Sequence, residues 1–350
     1  GARAWDSSRE RKWQLLKQLD ASARSQSHFV TQVMGYLNEK NQKIEIFNSE
    51  GLWIQDERCY TRIGLEAHIE KNGQKQAAHD RCGMLTTLEA LEKIDLEAMA
   101  KKTVTRAEVL VEADFAPAGE MPVVIDGGFG GVIFHEACGH GLETTSVAPG
   151  ASVFCGKLNT QIANPCVTAI DDGTVANAWG SLHVDDEGMA TQKTTLIEKG
   201  ILKSYIVDRV GALQTGYQRT GSGRRESYKY APASRMRNTY IAPGTSSLEK
   251  MIGDVEDGLY AKVMGGGSVS PGTGEYNFGV VEAYLIKNGK VTKPVKGAAL
   301  IGRGIDTLAK IEQVGSTLTM EDGMCGSVSG QIPTTVGQPP ILVSKILVGG

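Results

Sequence analysis

Two of the six histidines in this chain stand five positions apart around a glutamate. They lie in the stretch Gly127-Gly128-Phe129-Gly130-Gly131-Val132-Ile133-Phe134-His135-Glu136-Ala137-Cys138-Gly139-His140-Gly141-Leu142-Glu143. The pattern is H-E-x-x-x-H, one residue longer than the H-E-x-x-H spacing that sets two zinc-binding histidines on one helix face. On an ideal α-helix, positions four apart are about 40° out of line, whereas positions five apart are roughly 140° out. For His135 and His140 to face a common ion the helix must widen, and a π-bulge brings such positions to within roughly 50°. Cys138-Gly139 is the place for it, because glycine costs about 1 kcal/mol inside a helix and usually has a reason to be there. The glycines upstream suit a tight turn between the apolar run Pro122-Val123-Val124-Ile125 and the helix.

Two readings of this stretch stand side by side. The histidines and glutamate are metal-site residues, or they are satisfied polar groups at a helix end. Burying them among Val132, Ile133 and Phe134 without partners would be costly. A catalytic zinc takes three protein donors and keeps one open position. Beyond His135 and His140, the third donor is sought among Glu143, His183, the cluster Asp185-Asp186-Glu187, and Cys325. Residue type and spacing do not choose among them. Glu136, directly after the first histidine, is the candidate general base. Arg224, Arg225, Arg235 and Arg237 could clamp a peptide carboxylate bidentately, with Asn238 beside them, or could be structural partners for the chain's acids.

The remainder of the chain reads as a mixed α+β protein. Ser7-Ser8-Arg9-Glu10 is a capping box opening a helix with Trp13, Leu15, Leu16 and Leu19 on its apolar side. Short β-runs follow at residues 29–36, 43–47, 52–55 and 60–69, closed by turns at Asn48-Ser49-Glu50-Gly51 and Lys71-Asn72-Gly73. This is an antiparallel meander. Helical spacing returns over 85–102, and 117–122 reads as a linker. Beyond the histidines, hairpins are expected around Lys199-Gly200 and Asn288-Gly289. They share the pattern Leu-Ile-x-x-Gly, which is either a duplicated unit or coincidence. Gly265-Gly266-Gly267 lacks the helix of a phosphate loop and marks a bend or a close backbone approach. Two domains are expected, 1–116 and 117–350.

The 350 residues suffice for a large core, and 41% hydrophobic with 22% charged residues is ordinary soluble usage. A net charge of −3 without a basic tract argues against a nucleic-acid partner. No apolar run reaches the ~18 residues of a membrane span. Cysteines at 59, 82, 138, 155, 166 and 325 show no disulfide-like spacing, which suits a reducing cytoplasm. Cys138 reads as core packing.

The segment Phe134-His135-Glu136-Ala137-Cys138-Gly139-His140-Gly141-Leu142-Glu143 resembles the active-site helix of the TldD/PmbA family, in its zinc-bearing TldD branch. Asp171-Asp172-Gly173-Thr174, Asp185-Asp186-Glu187-Gly188, residues 196–202, Gly223-Arg224-Arg225-Glu226-Ser227-Tyr228 and Arg235-Met236-Arg237-Asn238-Thr239-Tyr240 are similar to further family signatures. So are Glu282-Ala283-Tyr284-Leu285-Ile286 with Gly289-Lys290-Val291, and Cys325-Gly326, Gly330-Gln331 and Gly337-Gln338-Pro339. The similarity is dense from about Pro117 onward and weaker before it. It implies an antiparallel β-rich two-domain fold with an HExxxH metal-binding helix, and one Zn²⁺ per active site on His135, His140 and Cys325. It also implies Glu136 as base, hydrolysis of unstructured peptides, and a homodimer or a heterodimer with a PmbA-like paralogue. A non-catalytic partner subunit is the alternative within the family, and a regulator of nucleic-acid machinery a more distant one. Family members carry a further N-terminal segment, and the chain starts Gly-Ala-Arg, so a preceding segment is expected to be missing.

Overall fold

The computed structural model describes residues 9–270 and 272–350. Ser7 and Ser8 of the expected capping box lie outside the described residues. The described residues divide into two compact units: 9–45, 55–114 and 177–179 form one, and 46–54, 115–176, 180–270 and 272–350 the other.

The first unit holds the helix Arg9–Gln26 and the strands Val30–Phe47, Trp53–Lys71 and Gln74–Met84 in one three-stranded sheet. Ile63, Leu65, Ala67 and Ile69 are buried at alternate positions, the period of a half-buried strand. They pack with Leu19, Ala23, Ala100, Val104 and Ala107 in one apolar cluster. Asn72 and Gly73 both take positive φ, 52° and 76°, as a two-residue hairpin turn requires. The meander is therefore present, but its strands are much longer than the short runs expected. Asn38 through Lys43 carry no apolar alternation, yet pairing with the neighbouring strand keeps this stretch extended. The helical region also differs. A turn of helix at Leu88–Leu91 stops, and a second helix runs from Leu96 to Glu112. Asp95 starts that helix, its side chain accepting from the Ala98 N–H at 2.8 Å.

In the second unit, five strands close on themselves: Asp257–Ser270, Gly119–Ile125, Ile341–Gly349, Ala299–Arg303 and Glu275–Lys287 pair in that order, and the last pairs back to the first. Closure removes the open edges a sheet of this length would otherwise present. Residues 119–122 are strand rather than linker. Pro122 is tolerated because it stands at the register shift between Val343 and Ile346, where no ladder N–H is required. The glycines 265–267 lie at register shifts in Asp257–Ser270, which bears out the bend.

A second sheet has the order Thr319–Ser327, Gly330–Gln338, Asn238–Ile241, Ala169–Asp172, Lys193–Glu198, Ile201–Leu202. Its neighbours are antiparallel except Asn238–Ile241 with Gly330–Gln338. The Lys199-Gly200 and Asn288-Gly289 hairpins both form, with positive φ at all four residues. They lie in different sheets.

Candidate metal centre

The strand Gly119–Ile125 leads into a continuous helical stretch: a 3₁₀ turn at Gly128–Gly131, α-helical Val132–Phe134, a π turn at His135–Gly139, and α-helical His140–Leu142. Two glycines are required by close approach. A Cβ on Gly131 would lie 2.5 Å from the Gly337 carbonyl oxygen, so only glycine lets the helix start sit against that strand. A Cβ on Gly139 would collide with the Met236 sulfur, at the widened turn itself. Val132, Ile133, Phe134, Ala137, Cys138 and Leu142 anchor the stretch in the main apolar cluster. Cys138 is core, and burial pushes its thiol well up from the ordinary value.

The π turn sets the two histidine rings 5.1 Å apart between centroids and nearly perpendicular. Cys325, on the outermost strand of the second sheet, completes the group. Its sulfur is 3.4 Å from His135 Nε2 and 3.3 Å from His140 Nε2. All three residues are buried, and their donor atoms lie within 4.8 Å of one another. A tetrahedral zinc with nitrogen near ~2.05 Å and sulfur near ~2.3 Å separates the two donors by about 3.6 Å. The observed spacings are close to that edge, and a nitrogen-and-sulfur donor set is one that suits zinc. The residues present therefore fit a metal ion.

His140 is oriented from behind, its Nδ1 lying 2.9 Å from Glu143 Oε2. The other carboxylate oxygen of Glu143 accepts from the Met236 N–H at 3.2 Å. This is the carboxylate–histidine arrangement that fixes tautomer and ring plane in metal sites. Burial works against protonating His140, but the Glu143 carboxylate and Cys325 outweigh it and raise its pKa well above the ordinary value. His135 goes the other way. Burial first, then the charges of His140, Arg235 and Arg224, hold it well below the usual histidine range, and its Nδ1 has no protein partner. Glu136 stands 3.6 Å from His140 Nε2 and keeps 28% of its side chain exposed. Burial raises its carboxyl above the ordinary value, partly offset by His140.

The other candidates for the third donor are placed differently. Glu143 serves His140 through a hydrogen bond. His183 is exposed. Asp185 accepts from the N–H groups of Glu187, Met189 and Gly223, Asp186 from that of Arg225, and Glu187 from that of Arg209. These acids organise loops.

The candidate substrate clamp is also spent internally. Arg224 and Arg235 are buried and donate to main-chain carbonyls, of Met236 and Pro333 and of Cys325 and Gly330 respectively. Arg237 pairs with Asp171, both fully buried. The Asn238 amide donates to the Asp172 carbonyl and the Ser181 hydroxyl. Only Arg225 is part-exposed, donating to the Tyr230 carbonyl at 3.3 Å. The structural reading is thus the one the geometry favours for Arg224, Arg235, Arg237 and Asn238, because a guanidinium or amide buried and bonded inside the protein is not presented to a peptide. Sequence reasoning missed the role of Glu143. Its spacing, three residues after His140 and directly after the helical stretch, was the available signal.

Residues 118–350 match the model of the PmbA/TldA metallopeptidase C-terminal domain, and residues 2–111 that of the PmbA/TldA metallopeptidase central domain. A metalloprotease TldD homologue of Haemophilus influenzae is 41% identical over 350 residues, covering 98% of this chain and 72% of that one. A zinc metalloprotease TldD homologue of Saccharolobus solfataricus is 33% identical over 235 residues, 67% of this chain and 52% of that one. The crystal structure of TldE from Thermococcus kodakarensis superposes with a TM-score of 0.79 at 20% identity, over 98% of this chain and 75% of that one, a likeness of fold.

Proposed function

Because the chain belongs to the PmbA/TldA metallopeptidase family, with relatives named TldD metalloproteases, we propose that it is a zinc-dependent peptidase with His135, His140 and Cys325 as metal ligands and Glu136 as general base. The observation that carries this is the convergence of three buried donor atoms within 4.8 Å beside a part-exposed carboxylate. Zinc held by two histidines and a thiolate supplies Lewis acidity toward the scissile carbonyl, and acidifies water less than a three-histidine site does.

The chain's own groups supply the rest. Glu143 holds His140 so that Nε2 faces Cys325. Glu136 takes the proton of the attacking water and passes it to the leaving amine, an action contributing typically ~10²–10⁴-fold. Burial keeps its pKa above the ordinary carboxylate value. Glu136 works deprotonated, so hydrolysis should fall toward acid pH in the wild type, and that acid limb should be missing from Glu136→Gln.

An extended, unstructured peptide is the substrate class, since a strand at a sheet's outer edge can pair with one, and Cys325 lies on such an outermost strand. No helix of the described residues is long and apolar enough to cross a membrane, and we place the protein in the cytoplasm. The reading includes two domains, 1–116 and 117–350, a division that the compact units support. It also includes a dimer, either homomeric or with a PmbA-like paralogue, for which sedimentation at micromolar concentration should show two subunits. Elemental analysis tests the metal reading: about one zinc per chain in the wild type, and strongly weakened binding in Cys325→Ala. Unchanged zinc affinity in Cys325→Ala would remove Cys325 from the site.

A further inference from the structure

The two halves of the candidate site, His140 and Cys325, are 185 residues apart in sequence. One short segment touches both. The Met236 N–H donates to the Glu143 carboxylate that holds His140, and the Met236 sulfur fills the space that Gly139 leaves at the π turn. Arg235, its neighbour, reaches the other half. Its Nη2 donates to the Cys325 carbonyl at 2.6 Å, and its Nη1 to the Ser329 hydroxyl at 2.8 Å and the Gly330 carbonyl at 3.1 Å. These acceptors lie on both sides of the reversal between Thr319–Ser327 and Gly330–Gln338, where Cys325 is paired with Ile332. A planar guanidinium offers its donors in a fixed fork, so one rigid group ties the cysteine and the tip of its hairpin together. The Arg235 main chain is held in turn, its N–H donating to the Ser222 carbonyl at 2.9 Å.

Arg235 is poorly explained as filler. It is fully buried, its hydrogen bonds all go to neutral oxygens, and its Nε has no partner. Among the described residues no carboxylate forms an ion pair with it. A buried cation without a carboxylate is expensive, and an apolar side chain of similar volume would cost less.

We propose that Arg235 is the positioning residue of the metal site, fixing the Cys325 sulfur relative to His135 and His140 through the Cys325 carbonyl and the hairpin tip. The proposal rests on Cys325 being a ligand. Its test uses metal binding and spectroscopy rather than turnover. Zn²⁺ and Co²⁺ are titrated into the metal-free wild type, Arg235→Met, Ser329→Ala and Cys325→Ala, with folding checked by circular dichroism. The thiolate-to-cobalt charge-transfer absorption reports how well the sulfur is placed. Loss of a residue that orients a ligand typically weakens metal affinity ~10–100-fold, and that loss, with a weakened or shifted charge-transfer band, is expected for Arg235→Met. Ser329→Ala, which keeps the buried charge and removes one tie, should show a smaller change in the same direction, and it carries the test alone if Arg235→Met does not fold.

Wild-type affinity and an unaltered band in the folded Arg235→Met protein would overturn the proposal, as would an unaltered Ser329→Ala if only that variant folds. Cys325→Ala separates the two levels. If it binds metal as the wild type does, the ligand reading itself fails; if it loses binding while the Arg235 and Ser329 variants do not, only the positioning role fails.

Discussion

In the unit built on Arg9–Gln26 and the three-stranded meander, most buried positions are apolar and recur at the periods of helix and strand, with Arg58 and Arg106 as buried charges among them: Ile63, Leu65, Ala67 and Ile69 on one strand, Leu96, Ala100, Val104, Ala107 and Val111 on one helix. In the unit that carries the histidines, Arg224, Arg235, Arg237, Asp171, Asp185 and Glu143 are buried as well. The difference follows from the backbone. Ladders and helices satisfy most main-chain groups in the first unit. In the second, residues 173–237 contain only short regular elements, and their N–H and C=O groups must find other partners. Asp185 takes three N–H groups, while Arg237 donates to the carbonyls of Thr220 and Gly221. Apolar packing tolerates small readjustments, whereas a fully engaged buried charge is right in few geometries. The candidate donors themselves stand on regular elements, the helical stretch and the strand Thr319–Ser327, and the irregular chain supplies Arg235 and Met236, which brace them.

The sharpest way to break this contrast is Arg237→Met. Arg237 and Asp171 are both fully buried and 2.8 Å apart, and removing one partner of such a pair costs about 3–5 kcal/mol. Denaturant unfolding should show a loss of that size or a failure to fold, and a loss below about 1 kcal/mol would mean that the buried charges matter less than the apolar core. Leu65→Ala probes the other unit. At 1% exposure, the lost packing and cavity should cost about 3 kcal/mol, read from the same unfolding curves. Asp95→Ala is the smallest of these changes. It removes the cap on Ala98 N–H and should cost about 1 kcal/mol, with a local rise in hydrogen exchange at residues 96–99.

Legibility in the sequence divides along the same line. The two-residue turns at Asn72-Gly73, Lys199-Gly200 and Asn288-Gly289 formed because their residues tolerate positive φ locally. The π turn was readable because spacing alone demands it if His135 and His140 are to share a partner. The extent of Val30–Phe47 was not, since polar residues on both faces erase the alternation while the ladder persists. Nor was the halt at Leu91, which the Asp95 cap decides. The buried roles of Arg224, Arg235 and Asp185 were hidden for a different reason. Asp171 and Arg237 are 66 residues apart, and Arg235 and Cys325 are 90 apart. Whether a charged residue is solvated or enclosed depends on partners that only the fold brings near.

The central claim is that Glu136 performs the proton transfer beside a metal held by His135, His140 and Cys325, and one variant tests it most directly. Glu136→Gln keeps the size and much of the hydrogen bonding of the side chain but removes the base. Zinc content and extended-peptide hydrolysis are measured on the same preparations of wild type and variant, in the presence of the PmbA-like paralogue. The expected result is full zinc loading with hydrolysis reduced at least ~10²-fold. Near-normal turnover by zinc-loaded Glu136→Gln protein would contradict the account and move the proton transfer to another group.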